Sequence, residues 1–151
     1  MLNPLAPALA ALTLATPALA QSPVPLTEAN ISPMAVVLTD LSADDCWTDP
    51  DAARQIARDA LSKTNIDLVE TEDEAETVFA VVVQASRAVT GCYGYVRFAI
   101  GSMIDWKDNG EVPATLQAVS EIFEGRDSVD AFLAEGLATA IPALADYLPD
   151  S

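Results

Sequence analysis

The sequence predicts an α+β domain: a mixed, mainly antiparallel sheet in the order β-α-β-β-β-β-α, with two helices packed on one face. Three observations carry this. A short apolar strand is followed by a capped, amphipathic helix from Thr48 onward. Two long β-rich runs, Val78 to Thr90 and Cys92 to Trp106, meet at Gly91. A second helix with an apolar stripe runs from Ser128 to Leu148.

Residues 1–20 carry no charge, are rich in Leu and Ala, and end Ala18-Leu19-Ala20 before Gln21, the small-x-small pattern after which signal peptidase cuts. They are expected to be an export signal, removed after Ala20, which leaves the protein periplasmic or secreted. Pro4, Pro7 and Pro17 interrupt the apolar run, so a stable membrane anchor is not expected. Gln21 follows the cut, and no Cys lies near it to carry a lipid. Residues 21–33 contain Pro23, Pro25 and Pro33 without periodicity and read as a linker or extended arm. Residues 34–151 then form a single domain of ordinary size.

Met34 to Leu41 is a short apolar run, the first buried strand. In the first helix Asp49 or Thr48 supplies the cap, Pro50 fits the first turn, and Asp51 suits the positive end of the dipole. Ala53, Ile56, Ala57, Ala60 and Leu61 share one face, Arg54, Arg58 and Lys63 lie on the other, and Asn65 marks a stop. Ile66 to Glu70 is expected as a second strand, parallel to the first, and Glu70 to Glu76 as an acidic surface loop. Lys107-Asp-Asn-Gly110 is a turn, because Asn-Gly accepts positive φ readily. Val112 to Phe123 suits either a helix or a returning strand, and the preceding turn favours the strand. Pro142 is expected to kink or split the last helix, whose stripe is Phe132, Leu133, Leu137, Ile141, Leu144 and Leu148. In the order of its elements alone, the chain resembles small envelope proteins such as the lipopolysaccharide-assembly lipoproteins and other periplasmic accessory domains. The likeness rests on no residue motif, and no function is carried over from it.

The two long strands set a register. Pairing Thr90 with Tyr93 across Gly91-Cys92 puts Phe79, Val81, Val83, Ala85 and Val89 on one face with Val96, Phe98, Ile100 and Ile104. Arg87 falls on that face and belongs at its rim. The opposite face receives Tyr93, Tyr95 and Arg97, a row of residue types that concentrate binding energy. It is the candidate binding face.

Much catalytic chemistry has no residues to perform it. The chain has no His, which removes the usual general base, Ser-His and Cys-His pairs and the commonest zinc ligand. No glycine-rich phosphate loop follows a strand. No catalytic residue, cofactor or metal is assigned. Asp44, Asp45, Asp49 and Asp51 cluster around Cys46, and Asp105, Asp108, Asn109 and Glu111 at the Asn-Gly turn. Either could hold calcium through oxygen ligands, but neither matches an EF-hand loop, and helix capping explains the first cluster and turn chemistry the second. With 7 basic residues against 23 acidic ones and a net charge of −16, the chain has no basic stripe for nucleic acid or an anionic membrane.

The only two cysteines, Cys46 and Cys92, are expected to form a disulfide in an oxidising compartment. The acidic neighbours of Cys46 would raise a thiol pKa and so do not suit a reactive thiol. The expected topology conflicts with this pairing. If the first two strands are parallel and the third runs back, the hairpin turn lies at the wrong end of the sheet. The function expected is a small, exported, non-enzymatic domain that binds an envelope protein or a ligand through the open sheet face. The alternative is a carboxylate-based periplasmic hydrolase, which needs two converging acids, one with a raised pKa.

Overall fold

A computed structural model describes residues 26–105 and 111–147; the expected signal, its cleavage point at Ala20 and the 107–110 turn lie outside the described residues. One sheet of order β1-β2-β3-β4 is built from β1 (Met34–Asp40), β2 (Thr77–Ala88), β3 (Gly91–Asp105) and β4 (Glu111–Arg126). β1 is parallel to β2, and β2, β3 and β4 form an antiparallel meander. Three helices accompany it among the described residues: α1 (Glu28–Ile31), α2 (Pro50–Leu61) and α3 (Asp130–Tyr147). The mixed α+β class is therefore as the sequence predicts, and residues 112–123 belong to a strand.

The second expected strand shrinks to one bridge, Leu68 beside Met34, so the described sheet has four strands where the sequence suggested five. Asp67 and Val69 clasp Met34 through Met34 N to Asp67 O at 2.8 Å and Val69 N to Met34 O at 3.0 Å. The acidic residues that follow turn the chain through a 3-10 helix, Glu72–Glu74, before pairing can extend. The arm expected before β1 also differs. Thr27 and Asn30 form a reciprocal capping box around α1, and Ile31 is fully buried in the core.

α2 forms where its caps direct. The Asp49 side chain accepts from Ala52 N at 3.0 Å, and Pro50 occupies the first turn. The helix ends at Leu61, earlier than Asn65, with Ser62 N donating to Arg58 O. Ala53, Ala57 and Leu61 are buried, and Ile56 and Ala60 pack partly against the core. The arginines do more than face water. Arg54 donates to Val36 O at 3.1 Å, and Arg58 to Val69 O at 3.0 Å, so both tie α2 to β1 and its bridge. Arg58 also pairs with Glu70 at 2.7 Å, but that carboxylate is largely exposed and contributes little.

Both long helices share one face of the sheet. Phe79, Val81, Val83 and Ala85 of β2, Val96, Phe98 and Ile100 of β3 and Phe123 of β4 form one buried cluster with Ala53, Ala57, Leu61, Leu133, Leu137 and Ile141. α3 runs unbroken through Pro142, which does not split it.

The hairpin keeps the expected faces but not the expected register. Val81 lies opposite Phe98, and Ala88 opposite Gly91, a slip of four residues from the Thr90–Tyr93 pairing. An even slip leaves every side chain on its face. The turn moves to Val89 and Thr90, followed by Gly91 at φ 116°. Val89 is consequently fully exposed, not buried, and Ile104 is exposed toward the far end of β3.

Cys46 and Cys92 are joined, with Cα atoms 5.7 Å apart. The topological conflict disappears because the strand running into the hairpin, β2, is itself parallel to β1. The end of β1 and the hairpin turn therefore share one end of the sheet. Leu41 N donates to Val83 O and Ala43 N to Ala85 O, which carries the chain from β1 alongside β2 toward Cys92.

Candidate functional site

The face of the sheet away from α2 and α3 is defined by strand alternation. From β1 it takes Val37, opposite Ala80; from β2 also Val82 and Gln84, opposite Arg97 and Tyr95. On β4, Ile122 lies opposite Tyr95, and Ser120 opposite Arg97. The structure places Tyr93, Tyr95 and Arg97 along alternate positions of β3 on this face. Tyr93 is 49% exposed, Tyr95 and Arg97 are half-buried, and Ile122 beside them is 85% exposed. Arg97 reaches along the sheet to Thr115 Oγ1 at 3.4 Å.

Sequence reasoning did not identify two parts of this surface. One is Ile122, legible only once β4 is a strand in register with β3. The other is a hollow of about 420 Å³ near the opposite end of the face. Its floor includes Val78, Ala80, Ala99, Gly101 and Met103, and Glu72 and Glu76 stand at its margin. Small residues on β2 and β3 leave this depression; their pattern reads as ordinary strand in the sequence.

The Tyr93 end is held by a dense set of polar ties. Arg87, the expected rim residue, donates to the carbonyls of Asp44 at 3.0 Å, Asp45 at 3.3 Å and Asp127 at 3.1 Å. Asp44 and Asp45 have positive φ, which aims their carbonyls at that guanidinium. Val129 N donates to Cys46 O at 2.8 Å. Asp130 accepts from Thr48 Oγ1 at 2.6 Å and from Asp49 N at 3.0 Å, so it joins the first turn of α3 to the cap of α2. The first acidic cluster thus serves backbone geometry and capping. Among the described residues no three metal-ligating side chains converge.

Burial alone would raise the Asp130 pKa, but hydrogen bonds from Thr48, Ser128 and Asp49 outweigh it and hold the carboxyl below the ordinary aspartate value of 3.8. That direction is opposite to what a general acid requires. A depressed folded-state pKa stabilises above the unfolded value and is lost as pH falls through the folded value. We expect Asp130→Ala to cost about 1–2 kcal/mol near neutral pH. The cost should shrink as pH falls below 3.8. Urea titrations of both proteins across acidic pH check this; a pH-independent difference would count against the assignment.

No family model matches the chain, and no curated protein matches it. Among solved structures, two crystal forms of a PelC dodecamer from Paraburkholderia phytofirmans are similar at 18% and 16% identity, with TM-scores of 0.46 and 0.44. Each match covers 82% of this chain, and 94% and 93% of the PelC chains. A lipoprotein from Neisseria meningitidis is similar at 10% identity and a TM-score of 0.37, over 75% of this chain and 98% of that one.

Proposed function

We propose that this chain is an exported, non-catalytic domain that binds an envelope protein through the open face of its sheet. One observation carries the reading: Tyr93, Tyr95, Arg97 and the exposed Ile122 stand together on a face that neither long helix covers. Tyr and Arg are residue types that concentrate binding energy at interfaces, and exposed apolar side chains beside them gain by leaving water. The disulfide and the charge-free, Ala-x-Ala-ended leader support the exported compartment. The acidic margin at Glu72 and Glu76 favours a partner with basic residues at that end.

The test is photo-crosslinking in the producing cell. A crosslinker at position 93 should capture a discrete envelope protein, and one at Gln55 on the outer side of α2 should not. Tyr95→Ala and Arg97→Ala should each weaken the captured complex about tenfold or more if they are anchors of ordinary strength. Equal capture from both positions, or unchanged affinity in both variants, would remove the open face from consideration.

A further inference from the structure

The two outer strands of the sheet are unlike. β1 has its outer edge occupied, by Asp67 and Val69 at Met34 and by Arg54 at Val36. β4 is the other outer strand, and among the described residues no element pairs with its outer edge. Uncovered strand edges present rows of unpaired backbone groups, and proteins commonly blunt them with Lys, Pro or bulges. In β4, register shifts opposite Ile100/Gly101 and Cys92/Gly94 interrupt the ladder on either side of 117–123, and Pro113 lies near its start. Between the shifts, seven residues from Gln117 to Phe123 pair regularly with β3. They contain no Lys and no Pro.

This regular stretch is also where apolar side chains are exposed on both faces. Val119 is 47% exposed on the helix side, Ile122 is 85% exposed on the open side, and Leu116 at the neighbouring shift is 42% exposed. α3 does not reach over β4 fully. A hollow of about 300 Å³ remains beside Phe98, Ile100, Val119, Thr139 and Ala140.

We infer that the free edge of β4 pairs with β4 of a second copy of this chain, antiparallel about a two-fold axis at Val119. The register follows from the residues. In an antiparallel pair, facing residues must both direct their backbone groups toward the partner or both away, so a two-fold pairing brings together only positions of the same parity. Centring on Val119 sets Val119 against the partner's Val119, Ile122 against the partner's Leu116, Ser120 against the partner's Ala118, and Glu121 against the partner's Gln117. Apolar residues meet apolar ones, and the carboxylate meets an amide that can donate to it. Centring on Ser120 instead sets Val119 against the partner's Glu121. Centring on Glu121 opposes two carboxylates. Only the Val119 centre matches apolar groups on both faces, and it brings the two hollows together across the axis.

The net charge of −16 makes the copies repel, so association should strengthen as salt screens them. The seam is short and belongs to the class of small, weak interfaces. Pairing at β4 leaves Tyr93, Tyr95 and Arg97 accessible; Ile122 is common to both surfaces, so the tests below act through positions 117, 119 and 121 and leave the Tyr/Arg row untouched.

Sedimentation of the purified chain, at low and high salt and up to ~0.5 mM, tests the inference. We expect a monomer–dimer equilibrium tightened ~3-fold or more by salt. Val119→Lys places two cations at the axis and should weaken the dimer at least ~10-fold. Gln117→Glu should weaken it by opposing Glu121, and adding Glu121→Lys to that variant should restore it. Within one strand positions 117 and 121 are too far apart to pair, so restoration reports the intermolecular register. As a readout independent of affinity, Val119→Cys should form an intermolecular disulfide on mild oxidation, because facing Cα atoms in such a pair lie about 4.5–5.5 Å apart. Thermal melts confirm that each variant is folded. A monomer throughout, a dimer indifferent to Val119→Lys, or failure of Val119→Cys to crosslink would each overturn the pairing.

Discussion

Replacing Cys46 and Cys92 together by alanine is expected to lower stability by about 4 kcal/mol and the unfolding midpoint by roughly 15 °C. The disulfide closes a loop between residues separated by 46 positions, and the entropy it removes from the unfolded chain grows with the logarithm of that length. Both cysteines are fully buried, so the alanines also forfeit sulfur packing in the core. Against a typical total of about 5–15 kcal/mol, this is a large share. The remaining ties at that end are Arg87 on the Asp44, Asp45 and Asp127 carbonyls, and Asp130 on Thr48 and Asp49. They hold the loop in the folded state but leave the unfolded chain unconstrained. Paired urea titrations check the figure, and a loss below about 1 kcal/mol would show that these polar ties, not the disulfide, fix the loop. Tyr93 follows Cys92 directly, so the same variant should loosen one end of the open face.

The pairing of those cysteines was legible because it follows from compartment and count. The strand order was less so, and the reason lies in Ile66 to Glu70. Its residues suit a strand, but Asp67 and Val69 spend their backbone bonds on one residue, Met34, before the acidic 3-10 turn diverts the chain. A sequence pattern does not show where pairing stops. The faces of the hairpin were legible from alternation, whereas its register was not. Apolar residues recur at every second position of β2 and β3, so slips by even steps bury nearly the same set. The turn decides between them. Val89 looks like a core residue until Gly91 takes positive φ and leaves it at the tip. The candidate face was legible as a row on β3, but its surroundings were not. Ile122 enters only through the register of β4, and the hollow near Ala80 and Ala99 arises from what small side chains leave empty.

Gly94→Ala is expected to destabilise the protein by about 3 kcal/mol or more, although it adds one methyl group to a strand. A Cβ on Gly94 would lie 2.0 Å from Gln84 O and 2.8 Å from Ala85 Cα. Both atoms belong to the main chain of β2, where Gln84 faces Tyr95 and Ala85 faces Gly94. Neither can move aside as a side-chain tip would. Relief requires β2 and β3 to part inside their ladder, three pairs from its Ala88–Gly91 end, at a cost of roughly 1 kcal/mol for each ladder bond stretched, besides the loss of packing around Ala85 and Val96. The register shift between Cys92 and Gly94 on the β4 side gives no slack, because the conflict faces β2. Gly101→Ala is the matched control in the same strand. There the added Cβ would approach Ala114 O no closer than 3.2 Å, and Val78 Cγ2 at 3.5 Å, so a small adjustment suffices. The difference between the two variants should be at least about 2 kcal/mol in urea titration. Equal losses would mean that strand propensity, and not the close approach of β3 to β2, sets the need for glycine. Gly94 also stands between Tyr93 and Tyr95, so parting the strands there would tilt the two rings relative to each other. If the open face binds a partner as proposed, a Gly94→Ala protein kept folded at low temperature should bind it more weakly than its residual stability accounts for, which would link the close contact under the sheet to the surface above it.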